Sequence, residues 1–235
     1  MPKANFHLLS VFYYYIMYRR GDKMTIDEKD LLNSILASLR RIDYIRPEDI
    51  PNIDLYMDQV TTFMNEQLAD TRRYPDDKIL TKTMINNYTK NNLLPPPDKK
   101  KYSKEHLLIL IFIYYFKGIL SINDIQNLLN PITDRYFSKK GEPDLTSIYE
   151  EVFGLEKDEA GMLAKDITRK FHTSSHTFPD APAQERENLQ LFSFLCMLSF
   201  DVYVKRMLIE KIIDAKLTKK PEEKGKKTAK ESRKK

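Results

Sequence analysis

The chain of 235 residues has a single cysteine, Cys196, and no tryptophan. One thiol excludes a disulfide framework and a cysteine-rich zinc finger. Glycine is scarce, with six residues, and neither GxGxxG nor GxxxxGK[ST] occurs. Dinucleotide and P-loop phosphate cradles are therefore not expected. No nucleophile–base arrangement is visible, so the sequence points away from an enzyme, and it implies no cofactor and no metal ion. No apolar run reaches the roughly 20 residues of a membrane span. Strong strand alternation is absent and no internal repeat is evident. What remains is helical periodicity and charge, with 31% charged residues. The length suits one or two domains with a real core.

The net charge of +5 is unevenly distributed. Residues 1–23 carry +3 and residues 216–235 carry +7, which leaves −5 for the body at 24–215. Nucleic-acid binding must then rest on a local patch of the body or on the tail. Residues 8–18, LLSVFYYYIMY, are apolar apart from Ser10. They admit two readings: a membrane-surface anchor, or an extension ahead of a start at Met24, where Thr25 and Glu28 have the spacing of a capping box. Stable membrane association is not expected. The Lys-rich segment 216–235 is expected to be disordered, either as a solubilising tail or as a source of unspecific nucleic-acid affinity.

The body reads as helical almost throughout. Leu31, Leu32, Ile35, Leu36 and Leu39 recur at three and four, which predicts a helix over 26–41. Asp54 is expected to cap a helix through about Leu68, and Thr81 a short one through Asn91. Leu94-Pro95-Pro96-Pro97 stops that helix. Ser103 caps the next, whose run LLILIFIYYF (107–116) predicts burial on all sides. Ser121 caps another, with Ile122, Ile125, Leu128 and Leu129 inward and Asn130-Pro131 at its end. Helices follow near 145–153, 157–171 and 183–215. The stretch LFSFLCMLSF in the last one predicts full burial, in the core or against another subunit. Cys196 is then inert core. This half is not expected to carry a long exposed heptad helix. His172-x-x-x-His176 has metal-ligand spacing, yet Thr173-Ser174-Ser175 is poor helix material. The fold class is all-α, with a small two-stranded wing around 93–102.

Segment 80–129 is the informative one. A short helix, a proline stop, a basic turn and a buried helix are the layout of a winged helix-turn-helix. The helix at 81–91 is expected to expose Lys82, Asn86, Asn87 and Lys90. Asn side chains can pair bidentately with adenine in the major groove, and Lys99, Lys100 and Lys101 can neutralise phosphates. Tyr88 and Tyr102 complete the expected DNA-binding set. Residues 81–104 hold six lysines against Asp98 alone, a sign inversion inside an acidic body.

Residues 80–110, LTKTMINNYTKNNLLPPPDKKKYSKEHLLIL, resemble the MerR-type winged helix-turn-helix. Thr81, Tyr88, Leu93-Leu94-Pro95-Pro96 and Tyr102-Ser103 match in register, and Ser121-Ile122, Ile125 and Leu128-Leu129 match the family's late helix. The departures are Asn86 for an Arg, Asn87 for the first aromatic of a pair, Asn92 for a Gly and Lys100 for the wing Arg, with an insertion at 70–79. From Tyr44-Ile45-Arg46-Pro47 to Leu129 the chain is more similar still to an uncharacterised bacterial family, domain-of-unknown-function family eighteen thirty-six, whose members are thought to be MerR-like regulators.

The resemblance implies a bacterial, cytoplasmic transcription regulator. The expected organisation is an N-terminal helix at 24–43, a MerR-like winged domain at 44–130 and a C-terminal helical dimerisation or effector domain at 131–215. Such a homodimer would bind a palindrome in double-stranded DNA, acting most simply as a repressor. A small-molecule effector is left open. The alternative is a protein–protein adaptor that keeps the winged-helix shape without binding DNA.

Overall fold

The computed structural model describes residues 28–39 and 44–217. The expectations for residues 1–23, and for the tail beyond Leu217, lie outside the described residues. Seven α-helices follow in order among them: α1 (Glu28–Leu39), α2 (Met57–Gln67), α3 (Lys82–Lys90), α4 (Lys104–Phe116), α5 (Ile122–Tyr136), α6 (Leu145–Ser174) and α7 (Ala183–Lys216). Two short strands, β1 (Leu55–Tyr56) and β2 (Lys101–Tyr102), accompany them. The mostly helical class is as the sequence indicates. No helix among the described residues is long and apolar enough to cross a membrane.

The helix starts follow local chemistry. Thr81 Oγ1 accepts the Met84 N–H at 3.2 Å, and Ser121 Oγ accepts the Asp124 N–H at the same distance. Each satisfies a donor that the first helical turn leaves unpaired. Asp54 does not cap α2. Residues 55–56 are committed to a strand, so the helix begins at Met57, and Gln59 Oε1 accepts the Tyr56 N–H at 2.9 Å.

The sheet differs from the expected wing within 93–102. β2 pairs antiparallel with β1, ahead of α2, with Leu55 opposite Tyr102 and Tyr56 opposite Lys101. Pro95, Pro96 and Pro97 lack the N–H groups that a ladder with 101–102 requires. Only Asp98 bridges back to Lys101. The strand pair therefore ties the start of α2 to the start of α4.

α4 is the central helix, and its residues from His106 to Ile113 are all buried. Burial on all sides stops there: Tyr114, Tyr115 and Phe116 are half-buried. The core also runs past residue 130. Leu145, Tyr149 and Phe153 of α6 and Ile213 of α7 belong to the same cluster as Leu107 and Ile125.

Three expectations for the C-terminal half are corrected. α5 continues through Pro131 to Tyr136; proline removes one donor but leaves the following turns able to propagate. Residues 145–174 form one helix of 30 residues across Gly154, not two. LFSFLCMLSF is not fully buried. Phe194 is 2% exposed, whereas Phe192 and Phe200 are above 60% and Cys196 is exposed, so Cys196 is no core residue. The helix is apolar on two faces, and only one of them meets α6. On the other, Leu195, Val202 and Ile209 recur every seven residues with Phe192 three before the first, all exposed. α7 thus carries an exposed apolar stripe, interrupted at the intervening positions by Ser199 and Arg206.

α6 and α7 pack on each other. The Lys170 ammonium, 8% exposed, bridges Asp166 of α6 and Asp201 of α7. Both bonds stabilise the charged form and hold its pKa above the usual lysine value. The two carboxylates keep this buried cation compensated, and the bond to Asp201 crosses between the helices.

Candidate nucleic-acid interface

α3 is held by its apolar side. Ile85 and Tyr88 are buried, while Lys82, Thr83, Asn86, Asn87 and Lys90 form one exposed polar face. At its end Asn92 adopts φ +55°, and the N–H groups of Leu93 and Leu94 both donate to the Tyr88 carbonyl, at 2.8 and 3.2 Å. A left-handed position of this kind favours glycine. Asparagine is the next most tolerant residue.

Residues Asp98-Lys99-Lys100-Lys101, where the wing is expected, form a tight turn closed by the Lys101 N–H donating to the Asp98 carbonyl at 2.7 Å. Lys99 has φ +46° and Lys100 φ +66°. Two positive φ values in the centre are the pattern of a type I′ turn, which favours Asn-Gly. Left-handed backbone costs a side-chain-bearing residue about 1–2 kcal/mol. Two lysines hold this place against that cost, and strained residues of this kind cluster at functional sites. Lys100→Gly is expected to stabilise the fold by roughly 0.5–1 kcal/mol, measured as a higher urea midpoint. An unchanged midpoint would mean that the turn is not left-handed in solution.

The structure brings most of the expected residues to the surface and withdraws two. Asn86, Asn87, Lys90, Lys99 and Lys100 are exposed. None of their side chains has an ion pair or a hydrogen-bond partner among the described residues. Lys101 is half-buried, with its ammonium 5.4 Å from the Tyr56 ring centre. Lys82 is exposed but paired with Asp58 in the first turn of α2. An exposed pair of this kind is weak, about 0–1 kcal/mol, so a phosphate could displace it. Tyr88 and Tyr102, by contrast, are 7% and 3% exposed and lie in the core. They support the surface rather than belong to it. Their helical and strand phases carry the signal: Tyr88 follows Ile85 by three, and Tyr102 alternates with Lys101. Sequence reasoning names neither Thr83, which shares the face four residues before Asn87, nor Asp58.

His106 fastens the proline segment ahead of the turn to α4. Its Nδ1 accepts the Ser103 N–H at 3.0 Å, and its Nε2 faces the Pro96 carbonyl at 3.4 Å. The ring packs edge-on against Tyr102 and Phe137. Burial pushes its pKa below 6.5, and the carbonyls of Pro96 and Pro95 and the charge of Asp54 only partly oppose this. A protonated ring would also set an Nδ1–H against the Ser103 N–H. The native state thus keeps His106 neutral, while the unfolded chain takes up a proton below about pH 6.5. The unfolded state then binds more protons, so stability rises with pH across that window. It is full above about 6.5 and is lost as pH falls from there towards the lowered native value. Asp144, also shifted, is lowered from 3.8 mainly by the Ser147 N–H it accepts, so it acts at more acid pH. Urea midpoints at pH 7 and pH 5 are expected to differ in the parent chain and to converge in His106→Gln. An equal pH dependence in the variant would exclude His106 as its source.

At the far end of α6, the His172 and His176 rings lie 4.6 Å apart. His176 Nδ1 is engaged with the His172 carbonyl at 2.7 Å. No group of three or more metal-ligating side chains occurs among the described residues.

Residues 45–152 match the model of a family described as Domain of unknown function (DUF1836). The match spans β1, α2, α3, β2, α4, α5 and the first turns of α6, and it supports the resemblance to that uncharacterised domain. No curated protein matches the chain, and no solved structure does.

Proposed function

We propose that this protein is a sequence-specific double-stranded DNA-binding transcriptional regulator of winged helix-turn-helix, MerR-like type, acting as a dimer on a palindrome. The observation that carries the reading is a pair of exposed polar sets, one on α3 and one on the turn at 98–101. Asn86, Asn87 and Lys90 stand exposed on a short, Thr-capped helix, their side chains without a partner among the described residues. Lys99 and Lys100 stand equally free on a strained turn. Amides on a helix suit base edges in the major groove, and lysines on a projecting turn suit phosphates. Pairing of β1 with β2 supports the winged arrangement, since it braces the turn against the start of α2.

The dimer is supported by α7. Its exposed Phe192, Leu195, Val202 and Ile209 form an apolar stripe along one side of the helix, which a second copy could cover. Two copies related by a two-fold axis would read two half-sites about one helical turn apart or a multiple of it. The simplest consequence of such binding is repression.

The test is selection of genomic fragments by the full chain, followed by salt titration on the winner. A chain ending at Leu217 serves as control for affinity of the Lys-rich tail. Enrichment of a palindrome, with affinity falling steeply in salt and retained by the shorter chain, is the expected result. No enrichment by a folded dimer would end the DNA reading. It would favour the adaptor, for which Ile53 and Tyr56, 67% and 54% exposed beside the wing strand, are the apolar contacts.

A further inference from the structure

Between α2 and α3 the chain makes a detour that includes the insertion at 70–79. A 3-10 turn at Ala69–Thr71 opens it. The detour lies beside the C-terminal end of α4, and the two line an open cleft of about 480 Å³. Arg72, Arg73 and Lys78 from the detour line it, with Tyr114, Tyr115 and Lys117 of α4 and its cap opposite. The one carboxylate of the lining, Asp77, is turned to the detour's own backbone, where it accepts the Tyr74 N–H at 2.9 Å. None of the four cations has an ion pair among the described residues.

Two of these cations are held in place. The Arg72 Nη2 donates to the Asn65 carbonyl at 2.9 Å and to its Oδ1 at 3.3 Å, while the Arg72 Nε is buried with no partner. The Lys117 ammonium donates to the Ile79 carbonyl and lies 4.8 Å from the Tyr114 ring centre. Arg73 and Lys78 are exposed at the mouth. Four positive charges around one hollow repel each other, and an anion inside it relieves that repulsion. The guanidinium fork matches phosphate oxygens. The half-buried Tyr114 and Tyr115 rings give the site an apolar wall, with Lys117 over one face of Tyr114 and Phe153 packed behind Tyr115. The volume is that of a small-molecule site.

We propose that this cavity binds a small phosphate-bearing molecule with an aromatic ring, the phosphate between Arg73 and Lys78 and the ring against Tyr114 and Tyr115. The site is separate from the DNA-binding surface. The wing joins the N-terminus of α4 and the cavity lies at its C-terminus, about 18 Å away at 1.5 Å per residue. The inference does not rest on the DNA reading.

Phenyl phosphate titrated into the full chain at low salt is the probe, followed by calorimetry, with phenol and inorganic phosphate as comparators. Saturable binding is expected, tighter than for either comparator. Arg73→Ala/Lys78→Ala is expected to weaken it at least tenfold while keeping the parent's circular dichroism and thermal midpoint. Lys99→Ala/Lys100→Ala is expected to bind as the parent does. Absence of saturable binding, equal binding of phenol, or equal loss in the Lys99→Ala/Lys100→Ala chain would each overturn the proposal. DNA backbone offers the same phosphate chemistry. If Arg73→Ala/Lys78→Ala weakens DNA binding while phenyl phosphate does not bind the parent, the cavity is a DNA contact and the proposal falls. If that variant loses phenyl phosphate and keeps DNA, both readings stand independently.

Discussion

Changing Lys99, Lys100 and Lys101 together to alanine is expected to lower affinity for duplex DNA by about two orders of magnitude or more at 0.1 M salt, on specific and random sequence alike. Each lysine that neutralises a phosphate releases a condensed counterion, which contributes about 0.9 to the slope of log affinity against log salt. Three lost contacts flatten that slope by about 2.7. Lys99 and Lys100 stand clear of the body, whereas Lys101 lies half-buried against Tyr56. If Lys101 stays there, the flattening is nearer 1.8. Asn87→Ala should behave differently. A bidentate amide–adenine pair discriminates by about 1–3 kcal/mol, so the loss should fall on the selected site, with random DNA bound as before. Affinities of both variants on both duplexes, across a salt series, test this division. Equal losses on random DNA would refute it. No change in the triple variant would remove the wing from the interface and leave α3 without its phosphate support.

The caps, the short α3 and the buried α4 are legible in the sequence because their causes are local. Thr81 and Ser121 each act on a donor three residues away. The proline run after Leu94 acts on its own backbone. The exposed face of α3 follows from the phase of Ile85. What the sequence hides is nonlocal. Nothing near Tyr102 announces that Leu55 is its partner, and the two-residue strands are too short to alternate visibly. The wing turn is hidden for a different reason: its chemistry contradicts its geometry, since two lysines occupy positions where Asn-Gly would signal a hairpin.

The C-terminal half misleads by averaging. α7 is apolar towards α6 through Phe194 and apolar away from it through Leu195, Val202 and Ile209. A helix with two apolar faces has the same sequence signature as one buried on all sides. Gly154 and Pro131 are weak breakers once packing holds the helices around them. Cys196, counted with the core by its neighbours, lies exposed. The cavity at α4 is equally illegible, because Arg72 and Arg73 are separated from Lys117 by over forty residues and meet only through the fold.

Tyr149 tests where the folding unit ends. Its ring is 0% exposed. It packs on Phe153 at 4.4 Å, Phe112 at 5.4 Å and Tyr44 at 6.1 Å between ring centres. Its hydroxyl donates to the Ile45 carbonyl at 2.8 Å, closing α6 onto the segment ahead of the wing. Tyr149→Ala is expected to cost about 3–5 kcal/mol, the range for emptying an aromatic core site. Typical total stabilities are about 5–15 kcal/mol, so the variant should be close to unfolding at 37 °C. Tyr149→Phe keeps the ring and leaves the Ile45 carbonyl without this partner, for about 1–3 kcal/mol. If the unit ended near residue 130, Tyr149→Ala would release α6 and α7 alone, and the wing and α3 would keep their structure at moderate urea. The shared core of Leu107, Ile125, Tyr149 and Ile213 predicts otherwise. Circular dichroism and DNA affinity should be lost together in one urea transition, at a lower midpoint than in the parent. Two separated transitions would place the boundary before α6.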